Sequence, residues 1–157
     1  MENATKALVM AGGVLIGVLI LGLMVYLFTT FGSTSAQINA QNATKQLVQF
    51  NSKFTSYENK EGLTIYDIVT VAGYAKENND YYECDTNANN KANYYIYVYI
   101  GNSNNESTGI QKKSSDEMQS LIINEPIVNI ALPTYSCKIK DYHTNGRVKT
   151  IVFTKNN

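Results

Sequence analysis

The chain carries one histidine, His143, and two cysteines, Cys84 and Cys137. Hydrolytic and metal-dependent catalysis needs ionisable groups that converge on one reacting atom, and imidazole is the side chain most suited to moving protons near neutral pH. His143 stands beside a turn signal and reads as a solvated loop residue. Neither the Glu83 and Asp85 that flank Cys84 nor the adjacent Asp116 and Glu117 resembles a general acid with its base. The latter two open a helix, where carboxylates stabilise the positive end. No phosphate loop, GxGxxG, HExxH, GxSxG or EF-hand pattern occurs. The expectation is a chain that is not an enzyme and that uses no cofactor or metal.

The cysteines belong to no CxxC spacing of the metal or redox type, which leaves pairing with each other as their expected use. A disulfide between Cys84 and Cys137 would close a loop of about fifty residues and stabilise the fold by roughly 3 to 4 kcal/mol on the chain-entropy model. It would also place the domain outside the cytoplasm; two buried free thiols in a cytoplasmic domain are the alternative. Asn42-Ala-Thr and Asn105-Glu-Ser match the glycosylation triplet, but such triplets arise readily where about one residue in eight is Asn.

Tyrosine is the other side chain with functional capacity, since it offers a large rigid face and a polar tip. The run Tyr94 to Ile100 puts Ile96, Val98 and Ile100 on one face of a strand and Tyr95, Tyr97 and Tyr99 on the other. That tyrosine face either packs under the first helix or is presented to a partner. Lys plus Arg equals Asp plus Glu, at 13 each, and neither sign forms a block. Nucleic acid, which demands a basic stripe, is not an expected partner.

These residues lie in a polar domain that follows an apolar N-terminus. From Ala7 to Phe31 no charge occurs, and about 25 residues at about 1.5 Å each span a bilayer core. Residues 1–31 are therefore expected to form a tail and membrane helix, and 32–157 an extracytoplasmic α+β domain. An uncleaved anchor is favoured over a secretory signal, whose apolar part is shorter and follows a more basic start. Thr34 and Ala36 keep cleavage open as an alternative. Positive charge is nearly balanced across the segment, so it does not orient the helix. Gly13 and Gly17 form a GxxxG spacing, and Ala11 adds to a small-residue face along which a second copy could approach.

Beyond the bilayer, Leu47, Phe50, Phe54 and Tyr57 recur at helical spacing, so the first helix should continue, with a bend where Gly32, Ser33, Thr34 and Ser35 weaken it. Thr64 followed by Asp67 reads as a capping box opening a second helix near Ile65. Its stripe of Ile65, Ile68, Val69, Ala72 and Ala75 runs to an expected end at Asn78 and Asn79. Two Asn-rich stretches, TNANNKAN and GNSNNESTG, read as solvent-facing loops around the tyrosine strand. Ser114 with Glu117 opens a short crossover helix that ends near Pro126. Tyr135 to Tyr142 and Arg147 to Thr154, joined through Asn145-Gly146, form a hairpin. The sum is an α+β fold with a long N-terminal helix and an antiparallel sheet of three or four strands.

The segments MENATKALVMAGGVLIG and QFNSKFTSYENKEGLTIYDIVTVAGYAKENN resemble small membrane-anchored proteins of clostridia and their relatives, some of them pilin-like. The order of parts resembles type IV pilin-like and pseudopilin-like proteins over most of the chain. That resemblance implies a structural subunit of a surface appendage or secretion pseudopilus, self-associating through its N-terminal helix. The alternative is an anchored interaction module that does not polymerise. No Gly precedes the apolar run and Glu2 lies ahead of it, so the processing site and the early helix Glu of type IV pilins have no counterpart here.

Overall fold

The computed structural model describes residues 2–101, 109–124 and 133–156. Most of the GNSNNESTG stretch, the Asn105 triplet and the expected helix end near Pro126 lie outside the described residues. The chain divides into two compact units, Met1–Lys45 and Gln46–Asn157. Hydropathy places the expected boundary earlier, at Phe31. The difference arises because hydropathy marks where apolar side chains end, whereas burial begins only at Leu47.

Helix α1 (Glu2–Thr55) is unbroken. The segment Gly32 to Ser35 stays helical: Ser33 Oγ donates to the Thr30 carbonyl at 2.9 Å. The last turns of α1, from Gln46 onward, belong to the second unit.

Helix α2 (Ile65–Tyr81) opens at the expected capping box. Thr64 N–H donates to Asp67 Oδ2 at 2.8 Å, and Asp67 N–H donates to the Thr64 carbonyl at 3.1 Å. The helix continues two residues past Asn79, because both asparagines turn inward and find partners rather than ending the helix. The TNANNKAN stretch is not a loop. It forms α3 (Ala88–Tyr94), opened by Asn87, whose side-chain oxygen accepts from the N–H groups of Asn89 and Asn90 at 3.0 and 3.3 Å. Asn is among the strongest N-caps, and here the cap outweighs its poor interior propensity.

Strand β1 (Tyr97–Ile100) is shorter than the Tyr94 to Ile100 run, since Tyr94 closes α3. A short 3-10 turn at Ile110–Lys112 precedes α4 (Ser115–Ile123), which carries the expected capping box of Ser114 and Glu117. The backbone N–H and hydroxyl of Ser114 hold the Glu117 carboxyl below its ordinary range. β2 (Tyr135–Tyr142) and β3 (Val148–Lys155) are the hairpin the sequence describes. Gly146 takes φ +79°, the left-handed conformation this turn requires.

The sheet is mixed rather than antiparallel. Its order is β1-β3-β2, with β1 parallel to β3 and Tyr97 aligned with Thr150. Alternation shows that a strand exists but not the direction of its neighbour: β2 runs antiparallel to β3 and so carries the chain back across the sheet, which lets β3 start beside β1 and run parallel to it. Leu63 and Tyr135 exchange backbone bonds of 3.0 and 2.7 Å in an isolated antiparallel bridge. The link from α1 to α2 thereby covers part of the free edge of β2.

The core of the second unit gathers Phe54 of α1, Ile65, Ile68, Val71, Ala72 and Ala75 of α2, Met118 of α4, and the inward side chains of the sheet. Val71, rather than Val69, completes the buried stripe of α2; Val69 is half-buried. Phe54 is fully buried and meets Phe50 and Tyr74 edge-on, at 5.5 and 6.5 Å between ring centroids.

Candidate functional site

Within the first unit every described residue is exposed. The apolar residues cover the whole circumference of α1 rather than one stripe: Leu8 is 76% exposed, Val14 68% and Phe28 76%. A helix apolar on all sides is stable only inside another apolar medium or a bundle. This segment is long and apolar enough to cross a membrane, a property that signal sequences share. A Cβ built on Gly13 or Gly17 would meet nothing within 4 Å. Among the described residues these glycines and Ala11 pack against nothing, and the face they form is open.

The expected disulfide is absent: Cys84 and Cys137 are both buried free thiols. They lie toward opposite ends of β3. Cys137 faces the core opposite Phe153, whereas Cys84 follows α2 and lies within the electrostatic reach of Arg147, Lys91 and Asp85. A disulfide requires Cα atoms within about 7 Å, while the five steps of strand from Val148 to Phe153 alone span about 17 Å. Burial pushes the Cys137 thiol up to about 12, with Glu58 adding to the effect. Burial likewise raises the Cys84 thiol, reinforced by Asp85 and opposed by Arg147 and Lys91. Neither is an activated nucleophile, which would need the opposite shift.

Tyr95, Tyr97 and Tyr99 form a ladder. The first two rings are 4.6 Å apart, and Tyr97 and Tyr99 stack at 6.0 Å with 9° between their planes. Tyr95 is 1% exposed and Tyr99 4%, leaving Tyr97 alone half-buried. Most of this face is turned into the second unit.

The turn between β2 and β3 gathers what the sequence left scattered. His143 is buried, not solvated. Its Nδ1 lies 3.0 Å from the Ala92 carbonyl and its Nε2 2.8 Å from the Tyr95 carbonyl. Asn51 of α1 grips the same turn, donating to the Gly146 carbonyl at 2.8 Å and accepting from Val148 N–H at 3.0 Å.

Arg147 completes this corner. Its guanidinium carbon lies 3.5 Å from the Phe50 centroid and 5.2 and 5.3 Å from those of Tyr82 and Tyr94. Tyr82 and Tyr94 stack on each other at 4.2 Å. Nη2 donates to Asn78 Oδ1 at 2.7 Å, while the buried Nε has no hydrogen-bond partner among the described residues. Beside Arg147 opens a groove of about 240 Å³ whose walls include Phe50, Tyr74 and Tyr82, with Lys53 and Glu77 among its polar groups.

Sequence reasoning missed His143, Arg147, Asn78 and Asn79 as organising residues. The available signal was weak: polar residues that read as a helix end and a turn are common and normally solvated. Comparison with protein-family models, curated proteins and solved structures finds no match for this chain.

Proposed function

We propose that the chain is a structural subunit of a pilin-like surface appendage or secretion pseudopilus, anchored in the cell membrane before assembly and free of catalytic activity. The observation that carries this reading is the double use of one helix. The first part of α1 leaves apolar side chains open on every side, while its last turns contribute Phe54 to the core of an α+β domain. Apolar helices from many copies, approaching along Ala11, Gly13 and Gly17, would bury that surface against one another, and the polar domains would face outward. Other copies of the chain and further appendage proteins are the partners this requires. The domain then lies on the extracytoplasmic side, although the free thiols supply no argument for that placement.

The test is to shear producing cells and compare surface, membrane and soluble pools. Sheared high-molecular-weight material containing the chain supports assembly. Recovery only as a membrane-bound monomer favours the second reading, an anchored interaction module. The groove beside Arg147 is the observation that favours this alternative.

A further inference from the structure

The groove beside Arg147 is positively biased without being neutralised. Lys53 and Arg147 both line it, against the single carboxylate of Glu77. The ion pairs among the described residues join Lys6 to Glu2 and Lys76 to Asp80, so neither groove cation has a carboxylate at salt-bridge distance. Lys53 Nζ instead sits 5.4 Å from the Tyr74 centroid. A guanidinium offers five N–H donors in a planar fork suited to a carboxylate. Arg147 commits one of them to Asn78 among the described residues, and its ring contacts fix the plane of the group without using a donor. Tyr81, at the same groove, is 79% exposed and braced edge-on against Tyr82 at 4.9 Å. An exposed, braced tyrosine is a rigid platform for the C–H face of a ring.

Three features limit the occupant. The cations call for an anion, the open tyrosine calls for a ring with one apolar C–H face, and Glu77 calls for hydroxyl donors. The volume, about 240 Å³, lies below the range of about 300 to 1,000 Å³ typical of drug-sized ligands, so it admits one small ring. We propose that this groove binds a hexuronic acid residue, the carboxylate-bearing sugar unit of an anionic glycan. Arg147 and Lys53 hold the carboxylate, Tyr81 stacks on the ring, and Glu77 accepts from its hydroxyls. Such binding goes beyond the structural role proposed above and stands whether or not copies polymerise.

The test uses the full chain in lipid nanodiscs, followed by saturation-transfer NMR and a titration. The probes are galacturonate, trigalacturonate, methyl-esterified trigalacturonate, and a short glutamate-rich peptide. Trigalacturonate is expected to bind saturably and to weaken with added salt. The methyl ester, which has the same ring without the charge, should bind at least about tenfold more weakly. Monomer and trimer of equal affinity would show that one residue fills the groove, and a tighter trimer that a chain runs through it; both support the site. Lys53→Gln and Tyr81→Ala change exposed side chains and so keep the fold; each should weaken trigalacturonate severalfold, and Arg147→Gln should weaken it more. Equal binding of ester and acid, no saturable binding, or indifference to both Lys53→Gln and Tyr81→Ala would overturn the proposal. Binding of the peptide in place of the sugar would also overturn it, by assigning the groove to a protein partner.

Discussion

Asn79 and Ile96 exchange two hydrogen bonds: the Asn79 side-chain oxygen accepts from Ile96 N–H at 2.8 Å, and its amide donates to the Ile96 carbonyl at 3.0 Å. Asn79 is 4% exposed and Ile96 fully buried. The amide supplies β1's approach with the partners that a neighbouring strand would otherwise provide, and so docks α2 onto the start of the sheet. Removing it leaves a buried donor and a buried acceptor unmet, which costs about 1 to 3 kcal/mol for each. Asn79→Ala should therefore destabilise the second unit by about 2 to 6 kcal/mol in urea titrations of the detergent-solubilised chain. A change below about 0.5 kcal/mol would mean that the paired bonds contribute nothing net.

His143→Ala should loosen the β2–β3 turn, because the carbonyls of Ala92 and Tyr95 both lose a buried partner. The expected loss is about 2 to 3 kcal/mol. It should appear in hydrogen exchange as faster opening of α3 and the turn, with the core of α2 less affected. A solvated histidine would give neither effect.

Cys84 and Cys137 should resist iodoacetamide in the folded chain and react in denaturant, since both are buried thiols whose burial disfavours the reactive thiolate. Non-reducing mass spectrometry should find both reduced. For Cys137 the sign is definite. The unfolded thiol ionises near its ordinary value of 9.0 and the folded one at about 12. Above the first value the unfolded chain holds fewer protons than the folded one. The stabilising share is complete below pH 9.0 and is lost as pH rises toward about 12, at about 1.4 kcal/mol per unit. Cys137→Ala should flatten that alkaline slope relative to the parent chain.

Gly13→Leu combined with Gly17→Leu should abolish sheared surface assemblies while leaving the second unit folded. The two glycines lie in the first unit, and a Cβ on either would meet nothing within 4 Å among the described residues. Leucine would hold two helix backbones apart where small residues allow close approach. Undiminished assemblies would show that the contact, if helical, uses another face.

The local elements are legible in the residues that form them. Thr64 with Asp67 and Ser114 with Glu117 are complete capping boxes, and each opens a helix where its spacing indicates. Asn145-Gly146 between alternating runs defines a hairpin that begins and ends within a residue of expectation. The unbroken apolar run from Ala7 to Phe31 likewise announces a helix that cannot bury itself. Such signals are legible because their partners lie within a few residues along the chain.

Whatever depends on partners distant along the chain emerges only in the assembled fold. The parallel setting of β1 beside β3 follows from the return of the chain along β2 and not from its alternation. Helix α3 appears within asparagines that compose a loop by propensity, because Asn87 caps it and Asn90 Nδ2 reaches the Tyr82 carbonyl at 2.7 Å. The cysteines fail to pair because β3 separates them, a distance that no count of intervening residues contains. The corner built from Phe50, Asn78, His143 and Arg147 joins residues up to 97 positions apart across one small turn. Polar side chains show their role only when burial withdraws water from them, and burial is a property of the assembled fold.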